Sequence, residues 1–278
     1  MVTKRQRKPT VRVIEAECLD WMRKQRPGGF DLIYMDPPFN TGQRRNLKRL
    51  RSVRDEEGRH VGFGGKSYSS EVLSEASYAD HFLDYEAFLA PRVVAAKRLL
   101  KPSGSLFVHL DAREVHYVKV MLDGLFGRAA FLNEIIWAYD FGGRSKRRWA
   151  AKHDTILWYA KDPGAYYFDT DGVERIPYMA PGLVGPEKAA RGKLPTDVWW
   201  NTIVSPTGKE RSGYPTQKPL AILERIVEAT CPVGGRVLDV FCGSGTTGVA
   251  AARRGRGAVL VDVNPEAIRV TRARLAAL

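Results

Sequence analysis

Asp36-Pro37-Pro38-Phe39 comes straight after the apolar run from Phe30 to Met35. Two consecutive prolines fix φ at both positions and remove two N–H donors, while their carbonyls remain free to accept. The Asp36 carboxylate and the Pro37 carbonyl thus make a rigid pair of acceptors, with the Phe39 ring close by. Such a set suits a planar ring bearing an exocyclic amine: one acceptor for each N–H and a face for stacking. A strand ending in a proline-rich turn accounts for these four residues equally well.

A second cluster, Asp239-Val240-Phe241-Cys242-Gly243-Ser244-Gly245-Thr246-Thr247-Gly248, contains a formal G-x-G-x-x-G. That pattern alone permits a nicotinamide or flavin site. Asp262, at the end of the following predicted strand, can accept from ribose hydroxyls in either case. Asp239 and Phe241 ahead of the glycines shift the reading. A carboxylate repels a pyrophosphate but attracts an ammonium. S-adenosylmethionine (SAM) offers an ammonium, a ribose and an adenine and has no phosphate, and the glycines let the backbone approach it closely.

These clusters need elements to hold them. Phe30–Met35 reads as a buried strand of a largely parallel sheet. Asp36 then falls at its carboxyl end, the edge at which open α/β sheets bind ligands. Further strands are predicted over 11–16, 105–111, 133–139, 154–159, 236–240 and 258–262, and helices over 17–24, 78–100, 113–126, 219–230, 247–253 and 265–275. Their alternation predicts a doubly wound α/β sheet. Asn264, before Pro265, is placed to cap the last helix. Residues 41–77 are charged and aperiodic and are expected to form a mobile lid or DNA clamp. Residues 162–213, rich in Gly, Pro and charge, read as an irregular insert whose Trp199 and Trp200 are core rather than base contacts.

Formal net charge is +13, which points to a polyanionic partner. The charge is clustered. Arg44, Arg45, Lys48, Arg49, Arg51 and Arg54 crowd one segment, and Arg144, Lys146, Arg147, Arg148 and Lys152 another. Cys18, Cys231 and Cys242 have no framework spacing and fit a reducing compartment. The cysteines and five histidines form no zinc-like cluster, so no metal is expected. No apolar run approaches the ~20 residues of a membrane span. The basic N-terminus lacks the apolar stretch of a signal peptide, and a cytoplasmic protein is expected.

In these motifs and their order the chain resembles a DNA amino-methyltransferase of the permuted β class, the kind found in restriction–modification systems. Asp36-Pro37-Pro38-Phe39 comes first, the irregular insert follows, and Phe241-Cys242-Gly243-Ser244-Gly245 comes last. Tyr214-Pro215-Thr216-Gln217-Lys218-Pro219-Leu220 resembles the family motif ahead of the cofactor strand, and Glu17-Cys18-Leu19-Asp20 a short motif ahead of the catalytic strand. The resemblance implies a circularly permuted, Rossmann-like sheet of about seven strands with one antiparallel. Residues 1–161 would be its catalytic half, 162–213 its target-recognition region and 214–278 its SAM-binding half.

The implied substrate is double-stranded DNA with the target base extruded. Asp36, Pro37, Pro38 and Phe39 would receive the base, and Asp239 and Lys218 would hold the amino-acid end of SAM. Phe241, Gly243, Gly245 and Thr246 would line the cofactor turn, Asp262 would take the ribose, and Glu17 and Cys18 would lie near the adenine. Arg44, Arg45, Lys48, Arg49, Arg144, Lys146, Arg147 and Arg148 would contact phosphates. Asp at the first motif position favours N6-adenine, with N4-cytosine close behind. A homodimer and a cognate restriction endonuclease are further implied partners. A nucleic-acid-binding protein with a vestigial SAM pocket is the alternative from another class. A cytosine carbon-5 enzyme is disfavoured, because no Pro-Cys dipeptide occurs.

Overall fold

The computed structural model describes residues 10–278 apart from 42, 55–59, 62–66, 81, 83, 144 and 206; for 43–54, 60–61 and 67–80 it describes the backbone alone. The N-terminal basic arm and Arg144 lie outside the described residues. In chain order the elements are β1 (Val11–Glu15), α1 (Cys18–Arg23), β2 (Phe30–Met35), β3 (Gln43–Arg54), β4 (His60–Val61), β5 (Ser67–Asp80), α2 (Tyr85–Leu99), β6 (Leu100–Leu110), α3 (Val115–Phe126), β7 (Phe131–Ala138), β8 (His153–Ala160), α4 (Pro186–Arg191), β9 (Val198–Trp200), α5 (Leu220–Thr230), β10 (Arg236–Asp239), α6 (Thr246–Arg253), β11 (Gly257–Asp262) and α7 (Pro265–Ala276).

One sheet carries the site, in the order β1-β11-β10-β2-β6-β8-β7-β9. β8 alone runs against its neighbours β6 and β7. All six residues of β2 are buried. Ile33 and Met35 pack on the face covered by α1, α2 and α3, and Leu32 and Tyr34 on the face covered by α5, α6 and α7. A strand covered on both sides reads as continuous apolar sequence, because alternate side chains enter different cores. The expected doubly wound, mostly parallel sheet is present, with β9 from the insert added as an eighth strand.

The permutation is visible in the pairing. β1 lies parallel to β11, with Val11 opposite Ala258, so the first and last strands are neighbours. β10 pairs with β2, placing Tyr34 opposite Asp239. Asp36 and Phe241, each two residues beyond that pair, leave the same edge of the sheet side by side.

Three expectations need correction. Residues 43–80, read as an aperiodic loop followed by a helix from Tyr78, contain a separate three-stranded antiparallel sheet, β3-β5-β4. This sheet is separate from the one that carries the site, and its sequence has no period-2 apolar rhythm from which strands could be read. Helix α2 accordingly begins at Tyr85, where the Asp84 side chain caps it by accepting from the Ala87 N–H at 2.8 Å. Likewise Pro219 is the N-cap of α5, one position before the first turn. Within the insert, Trp199 is buried as expected, but Trp200 is 78% exposed. Adjacent strand residues point to opposite faces, and β9 is covered on one.

Candidate active site

The carboxyl ends of β1, β11, β10 and β2 surround a cavity of about 380 Å³. It falls within the size range of small-molecule sites. Its lining brings together Glu17, Cys18, Asp36, Pro37, Pro38, Phe39, Lys218, Asp239, Phe241, Gly243, Thr246 and Asp262, every residue assigned to base or cofactor from the sequence except Gly245.

Asp36 carries the most informative geometry. Its Oδ2 accepts from Lys218 Nζ at 2.5 Å. Its Oδ1 is buried and has no partner among the described residues. A buried carboxylate oxygen left without a donor is costly, and such an atom marks a place where a ligand donor fits. The turn after it is tightly held. Tyr85 hydroxyl donates to the Pro38 carbonyl at 2.7 Å. Asn40 adopts φ +53°, a conformation that asparagine tolerates better than most residues. Its amide is fixed from both ends, donating to Glu114 Oε1 at 2.7 Å and accepting from the Phe82 N–H at 2.8 Å.

Lys218 is the departure from expectation. Its ammonium does not stand free for a cofactor carboxylate; it binds Asp36 and lies 5.0 Å from the centroid of the Phe39 ring. The segment before it is self-bonded: Gln217 accepts from the Ser212 N–H at 2.8 Å and donates to the Glu210 carbonyl at 2.7 Å. Thr246 hydroxyl donates to the Lys218 carbonyl at 3.2 Å, tying the lysine to the start of α6.

On the cofactor side, Asp239 accepts from Thr247 hydroxyl at 2.6 Å and from the Phe241 N–H at 3.0 Å. Burial drives its carboxyl up to about 7, against the pull of those two bonds, and the Asp36 and Asp262 charges add to the rise. Asp262 accepts from the Gly243 N–H at 2.8 Å and the Asn264 N–H at 2.9 Å, and burial raises it too. Each ionised oxygen keeps a lone pair for a further donor. Gly245 has φ +74°, and a Cβ there would come within 2.6 Å of Thr271, so only glycine makes this turn. Three carboxylates, an aromatic ring and a glycine turn fit a nucleoside bearing an ammonium, and they do not fit a pyrophosphate.

Other contributors carry no signature in the sequence. Arg92, inside α2, donates to Glu17 Oε1 at 2.6 Å and to Cys18 Sγ at 3.2 Å, and stacks on Phe88 at 4.0 Å. Its bonds, with the Asp20 N–H, overcome burial and hold Glu17 below the ordinary carboxylate range. Burial pushes the Cys18 thiol up to about 12, so this sulfur is no nucleophile. Behind Phe39 runs a buried chain. Tyr34 hydroxyl and His109 Nδ1 are 2.6 Å apart, His109 Nε2 is 3.2 Å from Asp154, and Tyr139 hydroxyl donates to Asp154 at 3.0 Å. The His109 ring centroid lies 5.9 Å from that of Phe39. Burial raises Asp154, but His109 and the Lys218 charge outweigh it and bring the carboxyl below its usual value.

The N6_N4_Mtase family, described as DNA methylase, matches residues 30–273. The chain belongs to this family. Among curated relatives, the DNA adenine methyltransferase YhdJ of Escherichia coli K12 is 29% identical over 95% of this chain and 82% of its own length. The Type II methyltransferase M.ScaI of Streptomyces caespitosus is 34% identical over 52% of this chain, and that match spans half of M.ScaI. Among solved structures, the M1.HpyAVI–SAM complex superposes with a TM-score of 0.61 over 96% of this chain and 99% of the other. At 18% identity that last likeness is one of fold.

The DNA-contact predictions are placed unevenly. Lys146, Arg147 and Arg148 are exposed on the β7–β8 connection. Arg44, Arg45, Lys48 and Arg49 lie on β3, where only the backbone is described. Among the described residues no helix is long and apolar enough to cross a membrane.

Proposed function

We propose that this methylase transfers a methyl group from SAM to the exocyclic amine of a base extruded from double-stranded DNA, with N6 of adenine as the target. The observation that carries the reading is the buried Oδ1 of Asp36, without a partner among the described residues, on a side chain that lines the same cavity as Phe39 and the glycine turn. The adenine assignment is supported by Asp at the first motif position and by the name of YhdJ.

An amine inside the stack cannot be reached, so the base must leave the duplex. Phe39 stacks on the extruded ring. Asp36 Oδ1 and the Pro37 carbonyl accept the two N–H bonds, turning the nitrogen lone pair away from the ring and toward the glycine turn. Lys218 keeps Asp36 Oδ2 engaged, so the carboxylate meets the amine in one orientation. Positioning of this kind supplies much of the acceleration for a poor nucleophile. Asp239 would hold the ammonium of the cofactor, Asp262 its ribose, and Glu17 with Cys18 its adenine end. When bound, SAM supplies an electrophilic methyl carbon. The amine proton released afterwards can pass to Asp36 Oδ1, which already accepts from that nitrogen.

The test is direct. The protein is incubated with SAM and unmethylated bacterial DNA, the DNA is digested to nucleosides, and the product is identified by mass spectrometry. N6-methyladenine is expected. N4-methylcytosine would keep the fold, cofactor and mechanism and change the base, since both bases present the same N–H₂ pair. SAM binding with no methylated nucleoside would overturn the reading in favour of a binding protein. The name of M.ScaI supports a restriction–modification setting, in which a cognate endonuclease would share the recognition site.

A further inference from the structure

Trp149 is 99% exposed. It sits in the connection between β7 and β8, after the exposed residues Lys146, Arg147 and Arg148. Between Tyr139 and His153 this connection has five basic residues and one acidic one, Asp140. At that exposure the indole is not part of the core, and it stands in a run of cations. It suits a partner that is anionic outside and flat and apolar within, which describes a stack of base pairs between phosphates.

The connection is also anchored to the candidate base site. The Tyr139 N–H donates to the Lys152 carbonyl at 2.9 Å, and Lys152 Nζ donates to the carbonyls of Phe141 and Gly142 at 2.8 Å each. Tyr139 hydroxyl reaches Asp154, Asp154 reaches His109, and the His109 ring lies against Phe39. The stem of the Trp149 loop and the ring that would receive the base are therefore tied together through a buried chain. At its tip, Ser145 Oγ accepts from the N–H groups of Arg147 and Arg148 at 3.2 and 3.3 Å, which shapes the bend before the indole.

We infer that Trp149 is a wedge that inserts into the DNA stack and fills the gap left by the extruded base. This inference rests on the amino-methyltransferase reading above. Extrusion costs the duplex its stacking and pairing at one position. An inserted side chain replaces part of that stacking, and an indole does so whatever the neighbouring sequence. Lys146, Arg147 and Arg148 would hold the flanking phosphates, and Trp149 would act only at the opened step.

The test uses two oligonucleotide duplexes built on the sequence found methylated in bacterial DNA, one fully paired and one with the target base mispaired. Trp149→Ala should lower kcat/KM on the paired duplex by about tenfold or more, with SAM affinity unchanged. Trp149→Phe should recover most of that loss. On the mispaired duplex, where opening is already cheap, Trp149→Ala should fall within about threefold of the parent protein. An equal loss on both duplexes would overturn the wedge and leave a docking contact. No loss on either would overturn any role in DNA. If the protein methylates no sequence in bacterial DNA, the amino-methyltransferase reading fails, and the wedge with it.

Discussion

Asp36, half-buried, and Asp239, buried, are carboxylates at one sheet edge, and they are handled differently. Asp36 shares one oxygen with Lys218 and leaves the other for a donor. Asp36→Asn should reduce methyl transfer by at least about a hundredfold, on the scale seen when an oriented polar group is removed from an active site, while SAM binding by calorimetry stays measurable. Asp239 is raised to about 7. An unfolded carboxyl titrates near 4, so between about pH 4 and 7 the unfolded state binds fewer protons. Stability from this group is therefore fullest at low pH and is lost as pH rises through about 7. A bound ammonium would pull the group down and release its proton. SAM affinity should accordingly rise from about pH 5.5 to about 7 and then level off, and Asp239→Asn should flatten the curve.

Among elements, those built from local sequence signals are legible in the chain and those built from distant contacts are not. Buried strands such as β2 and β10 declare themselves as short apolar runs, and the cap of α7 as Asn264; the Asp84 cap of α2 reads as helix interior. The glycine turn is readable because its conformation excludes other residues. Gly245→Ala should destabilise the fold by about 1–3 kcal/mol, through φ +74° and the clash with Thr271, and should lower the melting temperature and SAM affinity together. The buried chain of Tyr34, His109, Asp154 and Tyr139 is invisible in sequence, since its partners are 75, 45 and 15 residues apart. The same holds for Lys218, whose residue type suggests a cofactor carboxylate while its partner, Asp36, lies 182 residues away. The β3–β5 ribbon escapes a sequence reading for another reason: its charged sequence carries no period-2 apolar rhythm.

At the scale of the molecule, the charge of +13 sets how strongly DNA is held but not where. DNA affinity should fall steeply with salt. Replacing Lys146, Arg147 and Arg148 by glutamine should lower the slope of log K against log salt by about 0.9 for each phosphate that is no longer neutralised, and Trp149→Ala should leave it unchanged. A filter-binding series from 50 to about 200 mM salt separates the two effects.

The pairing of β2 with β10 has one more consequence, and it concerns how the chain is made. Arg236 N–H donates to Asp31 across 205 residues, and Leu32, Ile33 and Tyr34 find their β10 partners only in that same late segment. While the polypeptide emerges, β2, fully buried in the finished fold, has one edge open. Long-range closure of this kind is slow, and an open strand edge invites association with other chains. Ribosome-bound or truncated chains ending before Arg236 should thus be the aggregation-prone species. The catalytic pocket, assembled across that closure, would be among the last features to form.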